Sequence, residues 1–484
     1  MALFYDKLLY NARVAWVSLF LLFIDNEGYF MVPLFRRRGV RYAMVVEGFD
    51  WGPAVTRLVL DYGGRPLARD FSPEDFTVWA YQRSIPGVRE EAASLNLRFP
   101  GSPVEGVTPE DSGSYRKVVR SYRSDARGAE IPSGRFLTLE LEVGPEVACS
   151  SILRYDVMTV RNLPVTLEHT ITLPDGETVG PDRLARTLMP VTDEFDRSGS
   201  FRFRDSEYGM VQLRYSSWSP TKRYPKGSPD IARQGTHLAA QKNPSRSKAH
   251  YPLLIWLHGA GEAGTDPLVA LLGNPVTHLA HERVQAAFGG AFVLAPQCPT
   301  MWMDDGKGGY SSDGSSRYAR ALMALIERFT RANPSVDTNR VYIGGCSNGG
   351  YMAIRLLLDN PGFFAAGFPA CEAFLDDWID ERELRALAQI PLRFVHCKAD
   401  NTVPTALYTE RLFRRLTEAG ARDAAAFFPE TVVDPFGRYR TADGKPFTYH
   451  CHFSWIYALN NACSFPDGKP LMAWLADQRR KAAE

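Results

Sequence analysis

Three side chains of this sequence could together carry out acyl transfer: Ser347, Asp400 and one of two late histidines. A serine hydroxyl becomes a nucleophile only when a base takes its proton, and the base works best when an acid fixes its tautomer. Ser347 sits in Gly345-Cys346-Ser347-Asn348-Gly349, a G-x-S-x-G run entered from the apolar stretch Val341-Tyr342-Ile343-Gly344. That is the sequence form of a nucleophile elbow, in which a tight strand-to-helix turn lifts the hydroxyl clear of a sheet. Only glycines leave room for such a turn. The helix that follows aims its first N–H groups at whatever the hydroxyl attacks, so the Asn348 amide is a candidate oxyanion donor. Cys346 is expected to point inward as a packed thiol rather than to react.

Each of these residues needs a strand to hold it, and the sequence supplies one before each. Pro252-Leu253-Leu254-Ile255-Trp256-Leu257 reads as a buried strand that breaks into His258-Gly259-Ala260-Gly261-Glu262. The architecture that carries a nucleophile elbow takes its second oxyanion amide from this position, which makes Ala260 the candidate. His258 is expected to pin the loop and Glu262 to cap or pair locally. Pro391-Leu392-Arg393-Phe394-Val395-His396-Cys397-Lys398-Ala399-Asp400 reads as a further apolar strand that ends on a carboxylate and is followed by Asn401-Thr402-Val403-Pro404, which makes Asp400 the natural orienting acid. Tyr449-His450-Cys451-His452-Phe453-Ser454-Trp455 offers two histidines, and spacing alone does not choose between His450 and His452.

Four segments carry a resemblance to a known family: Leu257 to Glu262, Ala295-Pro296-Gln297-Cys298-Pro299 to Trp302, Gly345 to Gly350, and His452-Phe453-Ser454-Trp455 to Asn461. With them the chain resembles the Ig-like-domain-bearing serine esterases of the poly(3-hydroxybutyrate) depolymerase-like or prolyl-oligopeptidase-like hydrolases. The resemblance implies an α/β-hydrolase fold behind a smaller all-β Ig-like sandwich. It implies hydrolysis of carboxylic esters through an acyl-enzyme on Ser347, with hydroxyalkanoate oligomers, polyesters, or aryl and short-acyl esters as the substrate class. It also implies a base directly before an aromatic-Ser-Trp run, which selects His452; Cys451 stands where a glycine is more usual, so His450 remains second choice. Trp302 and Trp455, with Tyr310 and Phe374, lie near expected strand ends and are candidates for an apolar pocket, although aromatics so placed are at least as often core.

Two other readings compete. The elbow is similar to that of prolyl oligopeptidases, but those carry a propeller of repeated blades and the amino-terminal half here shows no repeat. A catalytically silent binding module is the other, and the complete set Ser347, Asp400 and His452 argues against it.

Bulk properties bound the choice further. The chain has 484 residues, 45% of them hydrophobic and 23% charged, enough for two domains with cores of their own. A formal net charge of +1 provides no field for gathering polyanions. Arg36-Arg37-Arg38 is the densest basic cluster and has no interleaved aromatics, so no nucleic-acid partner is expected. His278 and His281 lack a third ligand, and no metal is expected. Gly259 to Gly264 matches G-x-G-x-x-G after a strand, yet Thr265-Asp266-Pro267 follows instead of a helix start, so no dinucleotide or other cofactor is expected. Seven widely spaced cysteines read as thiols rather than a disulfide framework.

Along the chain, residues 1–38 form a first segment whose apolar run Val14 to Ile24 resembles the core of a signal peptide. It lacks a cleavage site and is too short to span a bilayer, which leaves a cytoplasmic or a secreted location open. Residues 39–190 show short alternating runs separated by turn residues, the texture of a sandwich. Its expected work is packing against the second domain, shaping a cleft rim or helping to make a homo-oligomer. Residues 191–484 are assigned to the second domain. Gly209 to Ser216 is expected to open its sheet, 221–250 to be an exposed insertion, and the remainder to alternate strand and helix as a mostly parallel sheet clad on both faces.

Overall fold

The computed structural model describes residues 20–25, 28–33, 39–63, 67, 69–94, 111–156, 159–220 and 250–480. The start of the apolar run, 14–19, and almost all of the 221–250 insertion lie outside the described residues; Phe20–Asp25 pairs antiparallel with Gly28–Pro33.

Strands rich in β-branched and aromatic residues build a sandwich of two sheets. One runs in the order Leu184–Leu188, Arg41–Phe49, Gly52–Asp61, Phe136–Leu141, Val118–Ser124; the other runs Thr178–Val179, Arg161–Thr172, Thr77–Ser84, Ser112–Arg116, with Leu153–Asp156 also paired to Arg161–Thr172. Alternate side chains turn inward, so Tyr42, Met44, Leu58, Leu60 and Leu139 meet Val78, Ala80, Leu167 and Ile171 in one core. The run Tyr115 to Tyr122, which reads from sequence as a single strand, is two strands, Ser112–Arg116 and Val118–Ser124, which belong to opposite sheets. The chain crosses between sheets at Lys117, where the inward alternation has to be reset.

The second domain holds one eight-stranded sheet. Its strands are β1 (Asp196–Asp205), β2 (Gly209–Trp218), β3 (Tyr251–Leu257), β4 (Phe292–Gln297), β5 (Val336–Cys346), β6 (Ala366–Ala370), β7 (Leu392–Val395) and β8 (Ala424–Phe427). Their spatial order is β1-β2-β4-β3-β5-β6-β7-β8, antiparallel from β1 through β4 and parallel beyond. The sheet is therefore opened by β1, one strand earlier than the sequence indicates; its outer residues alternate with charged ones and read weakly as a strand. On β3, Leu253, Ile255 and Leu257 face one core, while Leu254 and Trp256 face the other. Burial on both faces is why this strand is an unbroken apolar run. Helices α1 (Ala319–Ala332), α2 (Asn348–Asp359) and α3 (Thr409–Glu418) bury apolar stripes against the first of those cores. With β3 between β4 and β5, the connections reverse direction there, and the carboxyl ends of these strands open the crevice in which such sheets place their chemistry.

Candidate active site

The turn from β5 into α2 is steeper than any side chain but hydrogen would allow. A Cβ on Gly349 would lie 2.0 Å from the Leu257 carbonyl oxygen, and one on Gly345 would lie 2.6 Å from the Gly349 oxygen. Ser347 takes the strain, with φ 54° and ψ −116°. A non-glycine residue there costs about 1–3 kcal/mol, held by its surroundings. The Ser347 amide donates to the Ala370 oxygen at the end of β6. Within 341–350 it is Ser347 alone that reaches solvent while its neighbours are buried. Cys346 points inward, its thiol 3.0 Å from Asn274 Oδ1, and burial holds it protonated, well above the ordinary thiol range.

The strand expected to end on Asp400 stops at Val395, and Asp400 lies in the turn beyond β7, its carboxylate filled with donors. Oδ1 accepts the amides of Thr402 at 2.8 Å and Val403 at 3.1 Å. Oδ2 lies 2.7 Å from His452 Nδ1 and 3.1 Å from His396 Nε2. Burial alone would raise its pKa, but the hydrogen bonds from His396 and His452 outweigh burial and hold Asp400 well below the usual carboxylate range. Of the two candidate histidines, His452 is the one at Asp400. His450 is exposed, and its Nδ1 accepts the His452 amide, capping the short turn Cys451–Phe453. Ser454 in turn donates to the Val395 oxygen at the end of β7, and the Cys371 amide donates to that same oxygen. These ties gather Ser347, Asp400 and His452 at one end of the sheet.

Ala260 opens the short turn Ala260–Glu262 directly after β3, and Asn348 opens α2. The first amides of such turns have no acceptor within their own turn. The Asn348 side chain is held from behind, because Oδ1 accepts the Trp302 amide at 2.6 Å. His258 Nε2 accepts the Cys298 amide, so Nδ1 carries the proton and donates to the Gly259 oxygen at 2.6 Å. Burial lowers its pKa to about 4, which keeps it a neutral pin for the loop.

Two of the four aromatic residues expected to line a pocket, Trp302 and Phe374, are fully enclosed. Trp302 is fully buried and donates its indole N–H to the His258 oxygen, so it supports the loop after β3 from below. Trp455 is 7% exposed and stands edge-on to His452 with ring centroids 5.7 Å apart. Phe374 is fully buried, and the Tyr310 hydroxyl is 3.1 Å from Met301 Sδ. Apolar residues near strand ends look alike in sequence whether they line a cleft or brace it from behind.

Residues 41–180 match the family described as the esterase Ig-like N-terminal domain, and residues 243–429 match the phospholipase/carboxylesterase family. The chain is an Ig-like domain joined to a phospholipase/carboxylesterase-type α/β-hydrolase domain. Among solved structures, a thermostable esterase superposes with a TM-score of 0.64 at 22% identity, covering 91% of this chain and 100% of its own. That likeness shows the shared fold. An acylaminoacyl peptidase bound to a chloromethyl ketone (TM-score 0.34, 16% identity, 66% of this chain and 47% of that one) and a ferulic acid esterase (0.38, 12%, 58% and 99%) are more distant and carry no argument here. No curated protein sequence matches.

The Ig-like domain reaches the loops that follow β3 and β4 of the hydrolase domain, which the sequence did not reveal. Arg161 is 2% exposed and donates to the oxygens of Pro299 and Thr300. Its neighbour Asn162 donates to Glu262 Oε1 at 2.6 Å. Further along, the hairpin tip at Asp50 is buried against Asn460, whose amide donates to it at 2.6 Å. His278 and His281 stack with centroids 4.7 Å apart, and His278 Nδ1 is 3.9 Å from Asp50 Oδ1. Among the described residues no group of three or more His, Cys, Asp or Glu is arranged to hold a metal, and no helix is long and apolar enough to cross a membrane.

Proposed function

We propose that the protein is a serine carboxylic-ester hydrolase acting through an acyl-enzyme on Ser347. The observation that carries this reading is the 2.7 Å contact of His452 Nδ1 with an Asp400 carboxylate, at the same sheet end as a strained, solvent-reaching Ser347. With Nδ1–H donated to Asp400, Nε2 of His452 keeps its lone pair for the Ser347 proton. The serine oxygen attacks the acyl carbon, and the tetrahedral oxyanion takes the amides of Ala260 and Asn348. His452 then gives its proton to the leaving alcohol, and water releases the acyl group by the same steps in reverse. The substrate class follows from the family resemblance: aryl and short-acyl esters, or hydroxyalkanoate oligomers and polyesters.

The test is hydrolysis of p-nitrophenyl esters of increasing acyl length, beside proline-containing peptide amides, for the wild type and Ser347→Ala. Ester turnover lost in the variant supports the reading and gives the acyl limit. Cleavage of the amides alone would replace it with a peptidase, and turnover surviving in Ser347→Ala would remove Ser347 from the mechanism.

A further inference from the structure

Behind Asp400 lies a buried chain of polar groups that the acyl-transfer steps do not use. His396 is fully buried, and its Nε2 lies 3.1 Å from Asp400 Oδ2 and 3.0 Å from the Val403 carbonyl oxygen. A carbonyl only accepts, so Nε2 carries a proton. Nδ1 on the other side of the ring is 2.7 Å from Thr409 Oγ1, and that hydroxyl is 2.9 Å from Glu372 Oε1. Glu372 is fully buried, and its other oxygen accepts the Phe374 amide at 2.7 Å.

The proton count of this chain is over-determined. Thr409 has one hydroxyl proton and two neighbours; were Glu372 ionised and His396 neutral, both neighbours would need that proton. One more proton therefore resides on Glu372 or on His396 Nδ1. On His396 it would create an imidazolium touching Asp400, cancelling the negative charge that His452 needs when it accepts the serine proton. On Glu372 it neutralises a carboxyl group in a site that disfavours charge.

We infer that Glu372, Thr409 and His396 form a proton-ordered relay, with the carboxylic acid of Glu372 donating to Thr409, Thr409 to a neutral His396, and His396 to Asp400. Its work is to orient Asp400 for His452 without neutralising it, so all three are positioning residues. The inference rests on the acyl-transfer reading above. Burial, which pushes Glu372 up to about 7, agrees with the placement of the proton. Facing Glu372 are Thr409 and Tyr408, the Phe374 amide, and the carboxylate of Asp376, which is itself paired with Arg411 and Arg415. Facing His396 are Asp400, Val403 and Thr409.

Two measurements on the full-length protein test the relay. Nitrogen-15 NMR of histidine-labelled protein reads each ring's tautomer without any substrate. His396 is expected as the neutral Nε2–H tautomer under the conditions of the activity measurement; an imidazolium signature overturns the inference. Steady-state kinetics supply the second readout. Glu372→Leu is expected to lower kcat on the order of tenfold with KM nearly unchanged, as for one lost orienting hydrogen bond. Glu372→Gln, whose amide N–H replaces the acid proton, restores it. Equal losses in both variants overturn the assignment. Turnover that persists in Ser347→Ala would instead sink the acyl-enzyme reading and leave the NMR result standing.

Discussion

Asn162 of the Ig-like domain donates its side-chain amide to Glu262 of the loop after β3, 2.6 Å away. The two residues lie one hundred positions apart and in different domains, yet the acceptor is 3% exposed and follows Ala260 by two residues. Asn162 is paired across its hairpin with Tyr155, whose ring stands 3.8 Å from where a Cβ on Gly261 would be. Arg161, beside it, binds the Pro299 and Thr300 carbonyls, one residue short of Met301 and two short of Trp302, whose amide holds the Asn348 side chain. A single sandwich hairpin thus touches both the loop that carries Ala260 and the loop that holds the Asn348 side chain, the two residues proposed as oxyanion donors.

Asn162→Ala is expected to lower kcat for a p-nitrophenyl ester roughly tenfold while leaving the protein folded. It deprives a buried carboxyl group of a donor, a loss of about 1–3 kcal/mol that the loop relieves by moving. Gly261→Ala should act in the same direction, since its methyl would come within 3.1 Å of Asn162 Nδ2. Wild-type turnover in both variants would show that the loop holds its shape without the sandwich.

Glu262 also predicts a pH dependence of stability. Burial raises its pKa from 4.5 to about 7, against the hydrogen bond from Asn162. The folded state therefore holds a proton that the unfolded chain releases, so stability is fully present below the unfolded pKa of 4.5 and falls as pH rises toward about 7. A displacement of this size is worth about 3 kcal/mol at roughly 1.4 kcal/mol per pH unit. Thermal midpoints of the wild type should decline across that window, and Glu262→Gln should flatten part of the decline. A wild-type midpoint that rises over the same range would contradict it.

How much of this was legible in the sequence depends on the range of the interaction. The elbow could be read because strand, turn and helix are contiguous and Gly345 and Gly349 mark the close approach. Asp400 was marked by the apolar strand before it. The choice of His452 over His450 came from a resemblance, since two histidines two residues apart look equivalent until the Cys451–Phe453 turn sends one outward. His396 stood in view within the acid-bearing segment, but nothing in its spacing shows that the bend after β7 folds Asp400 back onto it. Glu372, Thr409 and Asn162 become partners only through tertiary packing, and no local pattern encodes that.

Gly349→Ala is expected to damage the elbow more than any nearby alanine substitution. Its Cβ would meet the Leu257 oxygen at 2.0 Å and the His258 oxygen at 2.5 Å, both backbone atoms that cannot rotate away. The start of α2 must then lift off β3, carrying the Asn348 amide out of line. Misplacing one oxyanion donor costs on the order of 100-fold to 1000-fold in turnover. Ester kinetics with circular dichroism on the purified variant separate this from unfolding, and activity within threefold of wild type would refute the close-approach argument.

Asp400→Asn tests the tautomer logic most directly. Oδ1 of residue 400 accepts two backbone amides, so an asparagine placed there keeps its oxygen on that side and turns its NH2 toward the position of Oδ2. That NH2 meets His396 Nε2–H, a donor fixed by the Val403 oxygen, and His452 Nδ1. His452 can accept from it only by giving up its Nδ1 proton, which moves the proton to Nε2 and removes the lone pair that takes the proton of Ser347. The expected result is a fall in kcat on the order of 10⁴-fold with KM little changed, the loss such a tautomer inversion brings to a serine triad. Fluorophosphonate labelling of Ser347 should slow in parallel, because it needs the same proton transfer. A variant that keeps turnover within tenfold would mean that His452 draws neither its tautomer nor its charge stabilisation from Asp400.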